Sequence, residues 1–81
     1  MSYSNAVFYY RHPTVAGPVF LFPERDGRYQ IVFRHESFGS FCSPQEAADE
    51  ASEGLSALEI PGDIARWERK LYAYVHQPQA V

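Results

Sequence analysis

Cysteine is all but missing from this chain. Cys42 stands alone, so no internal disulfide can close, and a zinc site would fall almost entirely to His12, His35 and His76, which have no paired ligand spacing. Cys42 reads instead as a small buried hydrophobe at the end of a strand. Long hydrophobic runs are missing too. No stretch nears the ~20 residues of a membrane span, and Met1-Ser2-Tyr3-Ser4 lacks the basic start of a secretory signal. The expected setting is cytoplasmic, without a membrane. The sequence also contains no G-x-S-x-G, phosphate loop, His-Glu-x-x-His or dinucleotide fingerprint. The expectation is therefore no enzyme, no catalytic residue, no metal and no cofactor.

Cations are scarce and unevenly placed. Lys and Arg number 7 against 10 Asp and Glu, a net charge of −3. Through Cys42, Arg11, Arg25, Arg28 and Arg34 outnumber Glu24, Asp26 and Glu36. From Ser43 onward seven carboxylates face only Arg66, Arg69 and Lys70. A polyanion is a poor match for such a chain, because Lys and Arg supply most non-specific affinity for nucleic acid.

What remains is a globular composition in 81 residues, 46% hydrophobic and 16% aromatic, enough for one domain over 1–81. Ala6-Val7-Phe8-Tyr9-Tyr10 has strand character and is stopped by Pro13. Val19-Phe20-Leu21-Phe22 is apolar on both faces, which predicts a central strand, or one whose outer face is covered by the N-terminal segment or by a partner. Asp26-Gly27 predicts a hairpin onto Tyr29-Gln30-Ile31-Val32-Phe33, with Tyr29, Ile31 and Phe33 facing the helices. His35-Glu36-Ser37 reads as the next turn and 38–42 as the last strand, with Gly39 allowing close backbone approach.

Ser43-Pro44-Gln45-Glu46 then opens a helix. Ser43 can accept from the Glu46 amide while Glu46 reaches back to the Ser43 amide, and Pro44 fits the first helical position. Ala47, Ala48 and Ala51 line one side of this helix, and Gly54 is placed to end it in the left-handed conformation with Leu55 folding back. Asp63 suits the N-cap of a second helix, in which Ile64, Trp67, Leu71, Tyr74 and Val75 recur at helical spacing until Pro78. Residues 77–81 read as a frayed tail. The expected fold is α+β: a three- to four-stranded antiparallel sheet packed on one face by two helices, in the order β-β-β-β-α-α.

The candidate contacts are surface groups. Tyr3, Phe8, Tyr9, Tyr10, Phe20 and Phe22 are dense enough to suggest base-stacking platforms, but at least half of these rings are expected to fill the core of a thin sheet-plus-helix sandwich; an outward Tyr9 or Tyr10 marks a contact site. Tyr9, Arg25, Arg28 and Arg34 form the first-choice partner surface, on the sheet side. Asp49 and Glu50 on the acidic helix form the second, suited to a basic partner. Glu46 is absorbed by the capping box. The expected partner is another protein; DNA held on the sheet by Arg25, Arg28 and Arg34 is the rival, and a homodimer is a further reading of the two-faced strand.

Two resemblances carry these expectations further. Phe38-Gly39-Ser40-Phe41-Cys42-Ser43-Pro44-Gln45-Glu46-Ala47-Ala48 resembles the strand-into-helix join of AP2-type and integrase arm-binding domains, which read DNA with a three-stranded sheet; here Val32 sits among the basic residues of that face. The longer pattern of Phe41, Ser43, Pro61-Gly62 and Ala65-Arg66-Trp67-Glu68 is similar to small phage anti-CRISPR proteins. That resemblance implies a non-enzymatic inhibitor that binds a protein of an RNA-guided defence complex and blocks recognition of target DNA.

Overall fold

The computed structural model describes residues 2–78, and the side chains of 6–74. Five strands form one sheet: β1 (Ser2–His12), β2 (Val19–Pro23), β3 (Tyr29–Phe33), β4 (Glu36–Phe41) and β5 (Glu68–Pro78). Their spatial order is β4-β3-β2-β1-β5, with every neighbouring pair antiparallel. A single α-helix, α1 (Pro44–Gly54), packs on one face, followed by 3-10 turns at Ser56–Leu58 and Ile64–Arg66. The class is α+β as expected, but the sheet has five strands where three to four are predicted, and one α-helix where two are.

The β2–β3 hairpin forms where Asp26-Gly27 predicts it. Gly27 takes φ 87°, its amide donates to the Glu24 carbonyl at 3.1 Å, and the Asp26 carboxylate accepts from the Arg28 amide at 3.0 Å. The β3–β4 connection is tighter than expected. Phe33 pairs directly with Glu36, so Arg34 and His35 alone make the turn, and Glu36 and Ser37 belong to β4. Further along, Tyr29 pairs with Phe41 and Ile31 with Phe38, leaving Gly39 and Ser40 opposite Gln30 alone. This is a β-bulge with Gly39 left-handed at φ 65°. A Cβ there would lie 2.5 Å from the Phe41 ring, which explains the glycine.

The start of α1 follows its chemistry with one change. Ser43 is extended and its hydroxyl accepts from the Glu46 amide at 3.2 Å, with Pro44 in the first turn. The Glu46 carboxylate, however, accepts from the amide of Cys42 at 2.9 Å rather than that of Ser43. One residue further back, it ties the helix to the end of β4. Gly54 does not adopt the left-handed cap. The chain instead continues through Leu55, whose amide donates to the Ala51 carbonyl at 2.9 Å, into the next turn.

Small residues set the helix close to the sheet. Ala47, Ala48 and Ala51 are buried against Val19, Leu21, Ile31, Ile60 and Trp67, with Tyr29 and Phe33 packed beside them. The expected inward face of β3 is thus the observed one. Gln45 fastens the far end: its amide nitrogen donates to the Gly62 carbonyl at 2.6 Å and its oxygen accepts from the Ile64 amide at 3.1 Å.

The second helix expected from Asp63 is replaced by a strand. Asp63 does cap, accepting from the Ala65 amide at 3.0 Å, but only for the 3-10 turn. Trp67 is then buried with its indole N–H on the Pro61 carbonyl at 2.9 Å, and Glu68 begins the ladder with β1. Pairing along β1 satisfies a whole strand of backbone groups that β2 meets only over Tyr10–His12. Gln77 and Pro78, expected in a tail, are in β5; the rest of that tail lies outside the described residues. No helix among the described residues is long and apolar enough to cross a membrane.

Candidate functional site

Alternation along the strands gives the sheet two unlike faces. On the helix side lie Tyr10, Val19, Leu21, Ile31 and the core. On the other side no helix among the described residues covers the strands, and Tyr9, Phe20, Phe22 and Tyr72 gather there. Tyr9 lies 5.3 Å from Phe22 and 6.3 Å from both Phe20 and Tyr72, measured between ring centroids. Phe20 and Phe22 stack at 5.1 Å and 12°, and Phe22 is 6.0 Å from Tyr72. Tyr72 is 54% exposed, so the cluster opens to solvent.

A bulge delivers Tyr72 to this face. Val7 pairs with Ala73 and the next residue, Phe8, with Leu71, which leaves Tyr72 as the extra residue of β5. Around the rings, Arg11 pairs with Phe20 and Lys70 with Tyr9, and directly opposed residues share a face. Arg11 binds Glu68 at 2.7 Å, the carboxylate opposite it on this face. The rings supply apolar area and the cations supply polarity.

Of the residues singled out from sequence, Tyr9 sits within this cluster, while Tyr10 points inward beside Tyr29, 6.1 Å away. The arginines are not gathered. Arg25 is exposed at the β2–β3 hairpin and lines a depression of about 520 Å³ with Phe8, Tyr29 and Tyr72. Arg28 is committed to its neighbours, donating to the Ser40 hydroxyl at 2.8 Å, the Ser40 carbonyl at 2.9 Å and Cys42 Sγ at 3.6 Å. Arg34 lies at the opposite end of β3, roughly 20 Å from Arg28 by strand rise. There it donates to the Ala16 carbonyl at 3.4 Å and lies 5.3 Å from the Phe33 ring.

Asp49 and Glu50 are both exposed on α1 but serve different sides. Asp49 accepts from Gln45 at 3.2 Å, toward Gly62, whereas Glu50 borders a groove formed by Phe38, Phe41 and Leu55. Cys42 is exposed, which corrects its reading as a core residue. Among the described residues, no three His, Cys, Asp or Glu side chains converge as a metal set.

The pattern that sequence reasoning missed is the union of Phe20, Phe22 and Tyr72 with Tyr9. The apolar double face of 19–22 signalled half of it. Tyr72 was hidden because its segment imitates a helix. Scans against family models, curated proteins and solved structures give no match for this chain.

Proposed function

We infer that the chain is a non-enzymatic protein-binding module that docks a partner on the helix-free face of its sheet. The observation that carries this reading is the uncovered cluster of Tyr9, Phe20, Phe22 and Tyr72. Tyrosine and phenylalanine contribute large contact areas at low entropic cost, and such anchors dominate binding energy at interfaces. The finer reading, supported by the anti-CRISPR resemblance, is an inhibitor that binds a subunit of an RNA-guided defence complex and keeps it from its target DNA.

The DNA-reading alternative is weaker on this geometry. Arg28 is held by Ser40 and Cys42, Arg11 by Glu68, and Arg34 stands at the far end of β3. A duplex crossing the face meets rings where phosphate contacts are needed.

The test is a gel-shift assay in which purified RNA-guided complexes bind target DNA with and without the protein. Loss of target binding at equimolar protein, restored by Tyr9→Ser with Tyr72→Ser, supports the inhibitor. Undiminished target binding by every complex type sinks it. Separately, sub-micromolar retention of duplex DNA by the protein alone near physiological salt would replace the protein-binding reading, because so few cations supply too little phosphate neutralisation to hold DNA that tightly at that salt.

A further inference from the structure

Beside the aromatic cluster, on the same face, a groove of about 300 Å³ is lined by Pro18, Phe20, Phe22 and Val32 together with Arg34 and His35. Arg34 and His35 are the basic members of an otherwise apolar lining. Among the described residues no carboxylate lines it. The nearest in sequence, Glu36, pairs with Phe33, whose side chain packs toward the core, so the register places Glu36 on the opposite face. The carboxylates of α1, at Glu46, Asp49, Glu50 and Glu53, also belong to the helix side.

Resting on the protein-binding reading above, we propose that this groove seats an acidic, extended segment of the partner. An apolar side chain of that segment enters between Pro18, Phe20, Phe22 and Val32, and a neighbouring carboxylate meets Arg34 and His35. Charge complementarity selects the occupant: a carboxylate finds an imidazole and a guanidinium whose single protein hydrogen bond among the described residues is the long one to the neutral Ala16 carbonyl, with no carboxylate among the described lining residues. A single-stranded nucleic acid, the other ligand that combines rings with negative charge, fits less well. It carries a phosphate at every nucleotide, whereas this face and its margin offer Lys70, Arg25 at the hairpin, the already paired Arg11 and the basic pair of the groove on a chain of net charge −3. The rings also stack on one another, as Phe20 and Phe22 do at 12°, rather than presenting separate platforms for successive bases.

The experiment uses the full chain and fluorescein-labelled peptides with a core of alternating Asp and Leu or Phe flanked by Gly and Ser. A matched peptide with Lys for Asp and a single-stranded oligothymidylate serve as the other arms, all read by anisotropy. The acidic peptide is expected to bind at least about tenfold more tightly than the basic one, with the preference shrinking as salt rises. The double variant Arg34→Asn with His35→Gly removes both basic groups while giving the turn residues better suited to its backbone. It is expected to remain folded and to lose that preference. Equal binding of acidic and basic peptides, tighter binding of oligothymidylate, or an unaltered preference in the double variant each overturn the proposal. A partner lost by Tyr72→Ser but retained by the double variant removes the groove and leaves the docking face standing.

Discussion

Arg34 and His35 are adjacent residues with positive φ, 51° and 67°, and between them they reverse the chain from β3 into β4. Two central residues at positive φ are the pattern of a type I′ hairpin turn, where Asn-Gly is the relaxed choice. A side chain with Cβ in this region stores strain that the surrounding ladder must hold. The same pair lines the groove on the helix-free face, so a locally costly choice coincides with the candidate site.

Replacing Arg34 with Asn and His35 with Gly is accordingly expected to stabilise the protein by about 1 kcal/mol, after allowing for the lost Arg34 contacts to Ala16 and Phe33. A chemical denaturation series reads this as a higher midpoint at unchanged slope. A lower midpoint would show that the Arg34 contacts outweigh the strain.

At the opposite hairpin edge, Gly39→Ala is expected to cost about 1–3 kcal/mol, because it combines a left-handed backbone with a forced shift of Phe41. Phe41 packs against the core, so its ring cannot simply swing away. Thermal melting of the variant beside Gly54→Ala, a position without positive φ and with no atom within 4 Å of an added Cβ, provides the comparison. Equal losses would locate the cost elsewhere.

Much of this fold is legible because local chemistry and tertiary demand coincide. Asp26-Gly27 and Ser43-Pro44 each admit one backbone geometry, and the structure uses both. The C-terminal third was misleading for a definite reason. Trp67, Leu71 and Tyr74 share a helix face at spacings of four and three. In the structure, the β-bulge at Tyr72 shifts the alternation by one residue, so the same three positions share the core-side face of β5 by register. A bulged strand thus reproduces helical periodicity. Only the need of β1 for a second neighbour decides between them, and no local pattern reports it. The candidate face was half legible for the same cause, since Tyr72 reaches Tyr9 only in the strand.

The capping of α1 carries its own test. Ser43→Ala removes the acceptor of the Glu46 amide and is expected to cost about 1 kcal/mol. Glu46→Ala removes the acceptor of the Cys42 amide, a contact that joins β4 to the helix. Because the two bonds brace one turn, a double-mutant cycle should show coupling. Strict additivity in urea titrations would mean that the bonds act independently.

Tyr29 gives the fold a measurable alkaline limit. Its hydroxyl donates to the Phe8 carbonyl at 3.0 Å, and burial, with Tyr10 beside it, pushes the phenol above its ordinary value. The unfolded chain therefore releases this proton first. The contribution of Tyr29 is whole below pH about 10 and declines as pH rises toward the folded value. Tyr29→Phe should cost about 1 kcal/mol at neutral pH, and the gap to the parent should narrow above pH about 10. A gap that is constant through that range would disconnect the hydrogen bond from stability.

The docking face is tested most sharply by two neighbours on one strand. Leu71 and Tyr72 are 48% and 54% exposed, yet the register places Leu71 with Phe8 on the helix side while Tyr72 meets Tyr9 and Phe22 on the other. Comparable exposure makes their effects on stability comparable, and substitutions at such sites usually stay within about 0.5 kcal/mol. Function should separate them. If the helix-free face is the interface, Tyr72→Ser removes a central aromatic anchor and weakens partner binding about thirtyfold, the size of loss typical of a hot-spot truncation. Leu71→Ser should leave affinity within about twofold, since residues away from the anchor contribute little. Isothermal titration against the captured partner reads both, with circular dichroism melts confirming that the variants fold alike. A loss at Leu71 with none at Tyr72 would move the interface to the helix side of the sheet, where Asp49 and Glu50 lie.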